Sequence, residues 1–269
     1  MSQTPTSQKF PIHVYLTLAL IYISPAIFFL PIGLIANLFS FSEYLGLVAS
    51  PIFAIYCLLI IGTPILTGTK ITKTVNAYRN KTLDEESTNK QLHLMALLNV
   101  VIPVSSGFVL SALYSIRIAN GYVLSNFEGV SAYLPMTLFT MAVVFDAALM
   151  SYVIYIRVME AELTDIPFNK EGITMDIKSR NILTLIFALL GVLMLMLAVV
   201  LTPANISQGV YPLAKKIIPF TVIAVVYFLI IEFFLVGDVT HCLNEISKIS
   251  GALANKDYSV ADGKATNRS

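Results

Sequence analysis

Leu138-Phe139-Thr140-Met141-Ala142-Val143-Val144-Phe145-Asp146-Ala147-Ala148-Leu149-Met150 carries a single charged residue in its thirteen positions. It is apolar on every side of a helix, so it lacks the polar stripe that a helix on the surface of a soluble domain would show. It lies inside a longer apolar stretch, 131–156. A helix needs about 20 mostly apolar residues to cross the hydrocarbon of a bilayer. Five further stretches meet that length: 12–38, 45–68, 92–115, 182–202 and 217–238. The reading is an all-α, polytopic membrane bundle of six transmembrane helices.

Composition agrees. Of 269 residues, 57% are hydrophobic and 12% charged, and mean hydropathy is +0.79. Soluble domains are about 25% charged. A soluble globular enzyme and a disordered chain are both excluded. The net charge of +1 argues against nucleic acid as a partner. Cys57 and Cys242 are too few and too far apart for a disulfide framework or a metal site. Pro25 and Pro31 predict a kink or an interfacial start in the first stretch. A cleaved signal peptide is the rival reading there, but the run is too long and no Ala-x-Ala site follows. Trp is absent, which leaves the interface belts to residues such as Tyr15, Tyr44, Tyr114, Tyr133 and Tyr211.

Positive charge sets the orientation. With the N-terminus inside, 14 of the 17 Lys and Arg residues fall on the cytoplasmic side, and only Arg117, Lys215 and Lys216 fall outside. Lys and Arg concentrate on the cytoplasmic side of membrane proteins, so both termini are expected there. The outer loops 39–44, 116–130 and 203–216 are short. The inner segments 69–91, 157–181 and 239–269 are longer and polar, and 72–79 and 157–163 read as helical continuations of the second and fourth spans, the latter ended by Pro167.

The sixth span runs straight into Val239-Thr240-His241-Cys242-Leu243-Asn244-Glu245-Ile246-Ser247-Lys248-Ile249-Ser250-Gly251-Ala252-Leu253-Ala254-Asn255-Lys256-Asp257-Tyr258. Val239, Leu243, Ile246, Ser250 and Leu253 are spaced 4, 3, 4 and 3, one heptad seam. This stretch resembles the first amphipathic helix of a HAMP domain. Val239-Thr240-His241-Cys242-Leu243 matches the usual Ile-Thr-x-Pro-Leu opening, with Cys242 in place of Pro, and Leu253-Ala254-Asn255-Lys256-Asp257-Tyr258 matches the Leu-Ala-x-Gly-Asp-Leu close, with Lys256 in place of Gly. The resemblance implies two parts: a six-helix sensor domain, 1–238, and a partial HAMP, 239–269, holding the first helix and connector. The chain stops where the second HAMP helix would start, so a truncation and a missing output domain are expected. Six spans before a HAMP also resemble the membrane modules of some bacterial methyl-accepting chemotaxis proteins and class III adenylyl cyclases. That likeness implies a bacterial inner membrane, a homodimer, and cytoplasmic signalling partners acting through the missing output.

Three intramembrane polar residues form a candidate site: Asp146, Asn99 and Glu232. Counted from the cytoplasmic ends of their spans they lie roughly 15, 10 and 9 Å deep. A carboxylate at the depth of Asp146 costs about 2.5–3.5 kcal/mol on insertion scales, so it should face the bundle interior or be protonated. The functional reading is a site for a proton, cation or small ligand. The bland one is an interhelical hydrogen-bond layer, with Glu232 reaching to the inner interface. Thr63 and Thr67 lie at similar depth. Gly107, Ser111 and Ser115 repeat every four residues and predict a close-packing face, or arise by chance in a helix rich in small residues. His13, His93 and His241 all fall near the cytoplasmic face without metal-ligand spacing.

No catalytic triad, phosphate-cradling glycine loop or His-x-x-x-His occurs, so no enzyme activity, metal or cofactor is expected. Two functions of different class remain. One is a signal-transducing receptor module whose last helix drives the seam Val239, Leu243, Ile246 and Leu253. The other is a small transporter or channel subunit with a path lined by Asp146, Asn99 and Glu232. A transporter usually shows related halves with interrupted helices. It has no need of a seam continuous with its last span, and the seam favours the receptor.

Overall fold

The computed structural model describes residues 11–127, 129–163, 166 and 177–254, which are all-helical with turns and loops between helices. In chain order the helices are α1 (Ile12–Ile35), α2 (Phe41–Val48), α3 (Pro51–Arg79), α4 (Glu85–Ala119), α5 (Tyr133–Glu162), α6 (Ile177–Val200), α7 (Pro203–Ile206) and α8 (Val210–Ala254). Among the described residues five helical segments are long and apolar enough to cross a membrane: Ile12–Ile35, Phe53–Arg79, Glu85–Ala119, Gly129–Met159 and Val210–Phe233. The stretch expected to be the fifth span lies in α6, whose described apolar segment, Thr184–Val200, is shorter than a span.

Local chemistry sets the helix ends, and it moves several boundaries away from those expected. The second span begins at Pro51, not at 45. Ser40 and Glu43 form a capping box that starts the separate α2, and Ser50 then caps α3, accepting from the Phe53 amide with Pro51 in the first turn. Asp84 caps α4 by accepting from the Ser87 amide at 3.0 Å, which starts that helix seven residues before the expected 92. α1, α3 and α4 each close with the left-handed turn in which an amide just past the helix bonds a carbonyl of the last turn. Leu38 bonds Gly33, Thr82 bonds Ala77, and Tyr122 bonds Arg117, around positive φ at Asn37, Lys81 and Gly121. The expected continuations of the second and fourth spans are helical: α3 runs to Arg79 and α5 to Glu162. Pro167, expected to end the latter, lies outside the described residues.

α5 is the centre of the bundle, packed by α1, α4 and α6. Of its apolar window 67% is buried, against 17% for α8, which lies at the periphery on α6 and α7. Lipid is as apolar as leucine, so these helices gain by close fit and not by escape from water. Glycines provide the fit. A Cβ at Gly107 of α4 would lie 3.1 Å from the Val144 side chain, and one at Gly68 of α3 would lie 3.0 Å from the Tyr15 ring. The expected small-residue face of α4 does its packing at Gly107, while Ser111 and Ser115 turn their hydroxyls back to carbonyls of their own helix. Where α1 ends, Phe29, Phe39 and Phe139 form an aromatic cluster, with centroids 4.7 Å apart for Phe29–Phe139.

Candidate functional site

Asp146 sits midway along α5, on the face turned to α6. Its carboxyl lies directly against Gly191: an ideal Cβ there would be 2.3 Å from Oδ1 and 2.6 Å from Cγ. One turn earlier on α6, Phe187 meets Phe145 edge-on, with centroids 5.5 Å apart. Asp146 Oδ1 is buried and accepts no hydrogen bond. From α8 the Tyr227 hydroxyl donates to the Asp146 backbone carbonyl at 3.0 Å. Asp146 therefore stands at the junction of α5, α6 and α8.

Asn99 belongs to a different surface. It is fully buried on α4, and its Oδ1 accepts from the Tyr22 hydroxyl of α1 at 2.8 Å. Its Nδ2 is buried without a hydrogen-bond partner. Asn99 also lines a cavity of about 30 Å³ with Pro103, Phe145, Tyr152 and Phe187, space for one or two waters. Nearby, Ser151 donates to Ser24, which donates to the Ala147 carbonyl, tying α1 to α5. Glu232 is exposed on α8. The described contacts do not join Asp146, Asn99 and Glu232. Thr67 is spent on its own helix, donating to the Thr63 carbonyl at 2.9 Å. The side chains of Val239, Leu243, Ile246 and Leu253, and of His241, lie outside the described residues.

The backbone of the tail is described as far as Ala254. α8 is one helix of 45 residues from Val210 to Ala254, unbroken at Gly237. A Cβ at Gly237 would lie 3.8 Å from a guanidinium nitrogen of Arg157 on α5. Tyr227 and Gly237 are ten residues apart on α8, and Asp146 and Arg157 are eleven apart on α5. Two parallel helices in register give that correspondence, so α5 reaches α8 at two levels.

Sequence reasoning missed two polar clusters. At one end of the bundle His13 Nε2 lies 3.0 Å from Glu162 Oε1, joining the start of α1 to the end of α5. At the opposite end of the bundle the buried Asn205 uses its whole amide. Oδ1 accepts from Lys216 Nζ at 2.6 Å and from Asn37 Nδ2 at 3.2 Å, and Nδ2 donates to the carbonyls of Ala36 and Val199. Beside it Glu43 accepts from the Ser40 and Ser125 amides, Tyr122 donates to the Glu43 carbonyl, and Arg117 donates to the Gly46 carbonyl. Partial desolvation pushes the Glu43 carboxyl up, but the hydrogen bonds from Ser40 and Ser125 outweigh it and hold the group below the usual carboxylate range. Only the Ser40-Phe41-Ser42-Glu43 capping box announced any of this in sequence.

Among the described residues no group of three His, Cys, Asp or Glu side chains is placed to hold a metal ion. Comparison of the chain with protein-family models, with characterised proteins and with solved structures finds no match.

Proposed function

We propose that this protein is a membrane-embedded signal-transducing module with six spans, α6 supplying the fifth of them, that relays a stimulus through α8 to the cytoplasm. The observation that carries the reading is the unbroken α8, Val210–Ala254. At 1.5 Å per residue it is about 68 Å long, more than twice the hydrocarbon thickness of about 30 Å. Pro219 is the one proline inside α8, and none follows it from Tyr227 to Ala254, so a shift or rotation applied at Tyr227 is carried along a continuous helix to the far end. α6 itself has 24 residues, about 36 Å, enough to cross.

The input reaches α8 through α5. Tyr227 hangs on the carbonyl of Asp146, and Arg157 lies against Gly237. A change in the charge or occupancy of the Asp146 carboxyl would alter how α5 seats on Gly191 and Tyr227, and so bias two arrangements of α8. The tail then acts as a HAMP-like first helix on cytoplasmic signalling proteins, with chemotaxis signalling as the leading output and a class III nucleotide cyclase as the other. A transporter would need Asp146, Asn99 and Glu232 along one path; the unbroken α8 is the feature that favours the relay over it.

The test is spin labelling of the tail at Thr240 and Ser247 in the full chain, reconstituted in lipid. Asp146→Asn should change label mobility or the distances between labels. A tail unmoved by Asp146→Asn, together with ion flux into vesicles that the same substitution abolishes, overturns the relay in favour of transport.

A further inference from the structure

α4 contains one proline, Pro103. Proline has no amide hydrogen, so the carbonyl of Asn99, four residues earlier, lacks the helical donor that position 103 would otherwise supply. The side chain of the same Asn99 is fully buried; Tyr22 occupies its Oδ1, and its Nδ2 has no hydrogen-bond partner. One residue therefore brings together an unpaired buried donor and a carbonyl released from the helix ladder. Leaving such groups unpaired inside a bundle is costly, which marks the place as one that receives a partner.

Asn99 and Pro103 both line the cavity of about 30 Å³ enclosed by α4, α5 and α6. Much of the rest of its wall is apolar, with Val104 from α4, Phe145 and Leu149 from α5 and Phe187 from α6. Phe145 is buried, whereas Val104, Leu149 and Phe187 are only half-buried. On helices set in a bilayer that remaining exposure is to acyl chains, so the cavity opens sideways towards lipid.

These features select the occupant. The wall carries no charged side chain, and an ion there would be left uncompensated at far greater cost than an unpaired amide. The enclosed space suits one small polar group, and the opening suits an apolar body attached to it. Water gains nothing from the apolar walls or the lipid side. A carbonyl oxygen could accept from Nδ2 but could not donate to the Asn99 carbonyl; a hydroxyl does both.

We propose that the Asn99–Pro103 cavity binds the hydroxyl end of a lipid-soluble alcohol, which enters from the bilayer past Val104, Leu149 and Phe187 and leaves its apolar chain in that opening. Asn99 Nδ2 donates to the hydroxyl oxygen, and the hydroxyl donates to the Asn99 carbonyl. Occupancy presses on Phe145 and Phe187, whose ring centroids lie 5.5 Å apart one turn from the contact of Asp146 with Gly191. The inference deepens the relay reading by naming the chemical class of its stimulus, and rests on that reading only for what binding does to α8.

The test uses the full chain reconstituted in lipid and two photoreactive probes, an octanol whose chain bears a diazirine and the octane with the same diazirine. After illumination, mass spectrometry of the peptides should find the octanol probe concentrated on Val104, Leu149 and Phe187, displaced by excess unlabelled octanol, and the octane probe spread over the lipid-facing residues. Pro103→Ala, which returns a helical donor to the Asn99 carbonyl, and Asn99→Leu, which removes the amide, should each lower octanol labelling at those three positions several-fold while labelling of exposed Phe233 stays the same. The comparison of the two probes on the unaltered chain needs no variant to fold. Octanol labelling spread evenly, as a cavity holding water alone would give, equal concentration of both probes at the three positions, or labelling indifferent to both substitutions would each overturn the proposal. Spin labels at Thr240 and Ser247 then separate the site from the relay. Concentrated octanol labelling with a tail unmoved by octanol supports the site and removes the relay. Evenly spread labelling with a tail that still responds to Asp146→Asn overturns the site and leaves the relay standing.

Discussion

The Asp146 carboxyl fills the space that any side chain at Gly191 would need, with Oδ1 2.3 Å and Cγ 2.6 Å from the ideal Cβ position. Gly191→Ala therefore requires Asp146 to leave its rotamer or α6 to move off α5. Overpacking of this kind typically costs about 1–3 kcal/mol. Asp146→Ala removes the clash, so the double variant should be more stable than Gly191→Ala alone, a coupling that a double-mutant cycle isolates. Unfolding of the purified protein in mild detergent, titrated with a denaturing one, measures it. Additive losses would separate the two residues.

Asn205 has a different kind of importance. Its amide satisfies Lys216, Asn37 and two backbone carbonyls from a fully buried position. Asn205→Ala strands the Ala36 carbonyl and leaves the Val199 carbonyl only the long 3.4 Å bond from the Thr202 amide, at about 1–3 kcal/mol for a buried group left unsatisfied. Asn205→Asp keeps the acceptor for Lys216 but sets an oxygen against those carbonyls, and should also destabilise. The same unfolding titration should show both losses, while Ser207→Ala, on an exposed residue of the neighbouring turn, changes little.

Glu43 makes the α2 cap pH-dependent with a definite sign. Its carboxyl is held below the usual range because the ionised form accepts from Ser40 and Ser125. A depressed folded-state value means the stabilisation is fully present above the ordinary carboxylate pKa of about 4.3 and is lost as pH falls through the lower folded value. Hydrogen exchange at the Ser125 amide should stay slow from neutral pH down to that range, after correction for intrinsic rates, and quicken below it. Glu43→Gln should show fast exchange throughout.

Orientation is tested by reporters placed in the turns. The excess of Lys and Arg predicts that fusions at Thr82 and Ser269 read cytoplasmic and fusions at Val123 and Ser207 read external. Thr82 lies between α3 and α4 and Ser207 between α7 and α8, so one reversed reading would break the alternation of spans.

The sequence by itself determined the membrane class and roughly where the long helices run, while local caps moved several of their ends. In a bilayer each helix must satisfy its own backbone, so local composition and caps decide where helices run. Asp84, Ser50-Pro51 and the Ser40–Glu43 box are read from neighbouring residues, as are the continuations of α3 to Arg79 and α5 to Glu162. What only the tertiary structure decided is which face of each helix meets which neighbour. Helices that are apolar all round carry no polar stripe from which to infer it. Asp146 rests on Gly191 and Tyr227 of α6 and α8, while Asn99 turns to Tyr22 of α1 and Glu232 is left outside. The separation between Asn99 and Tyr22, His13 and Glu162, or Asn37 and Asn205 runs from 77 to 168 residues. Such pairs form only because packing around α5 brings distant segments together, and no spacing along the chain encodes them.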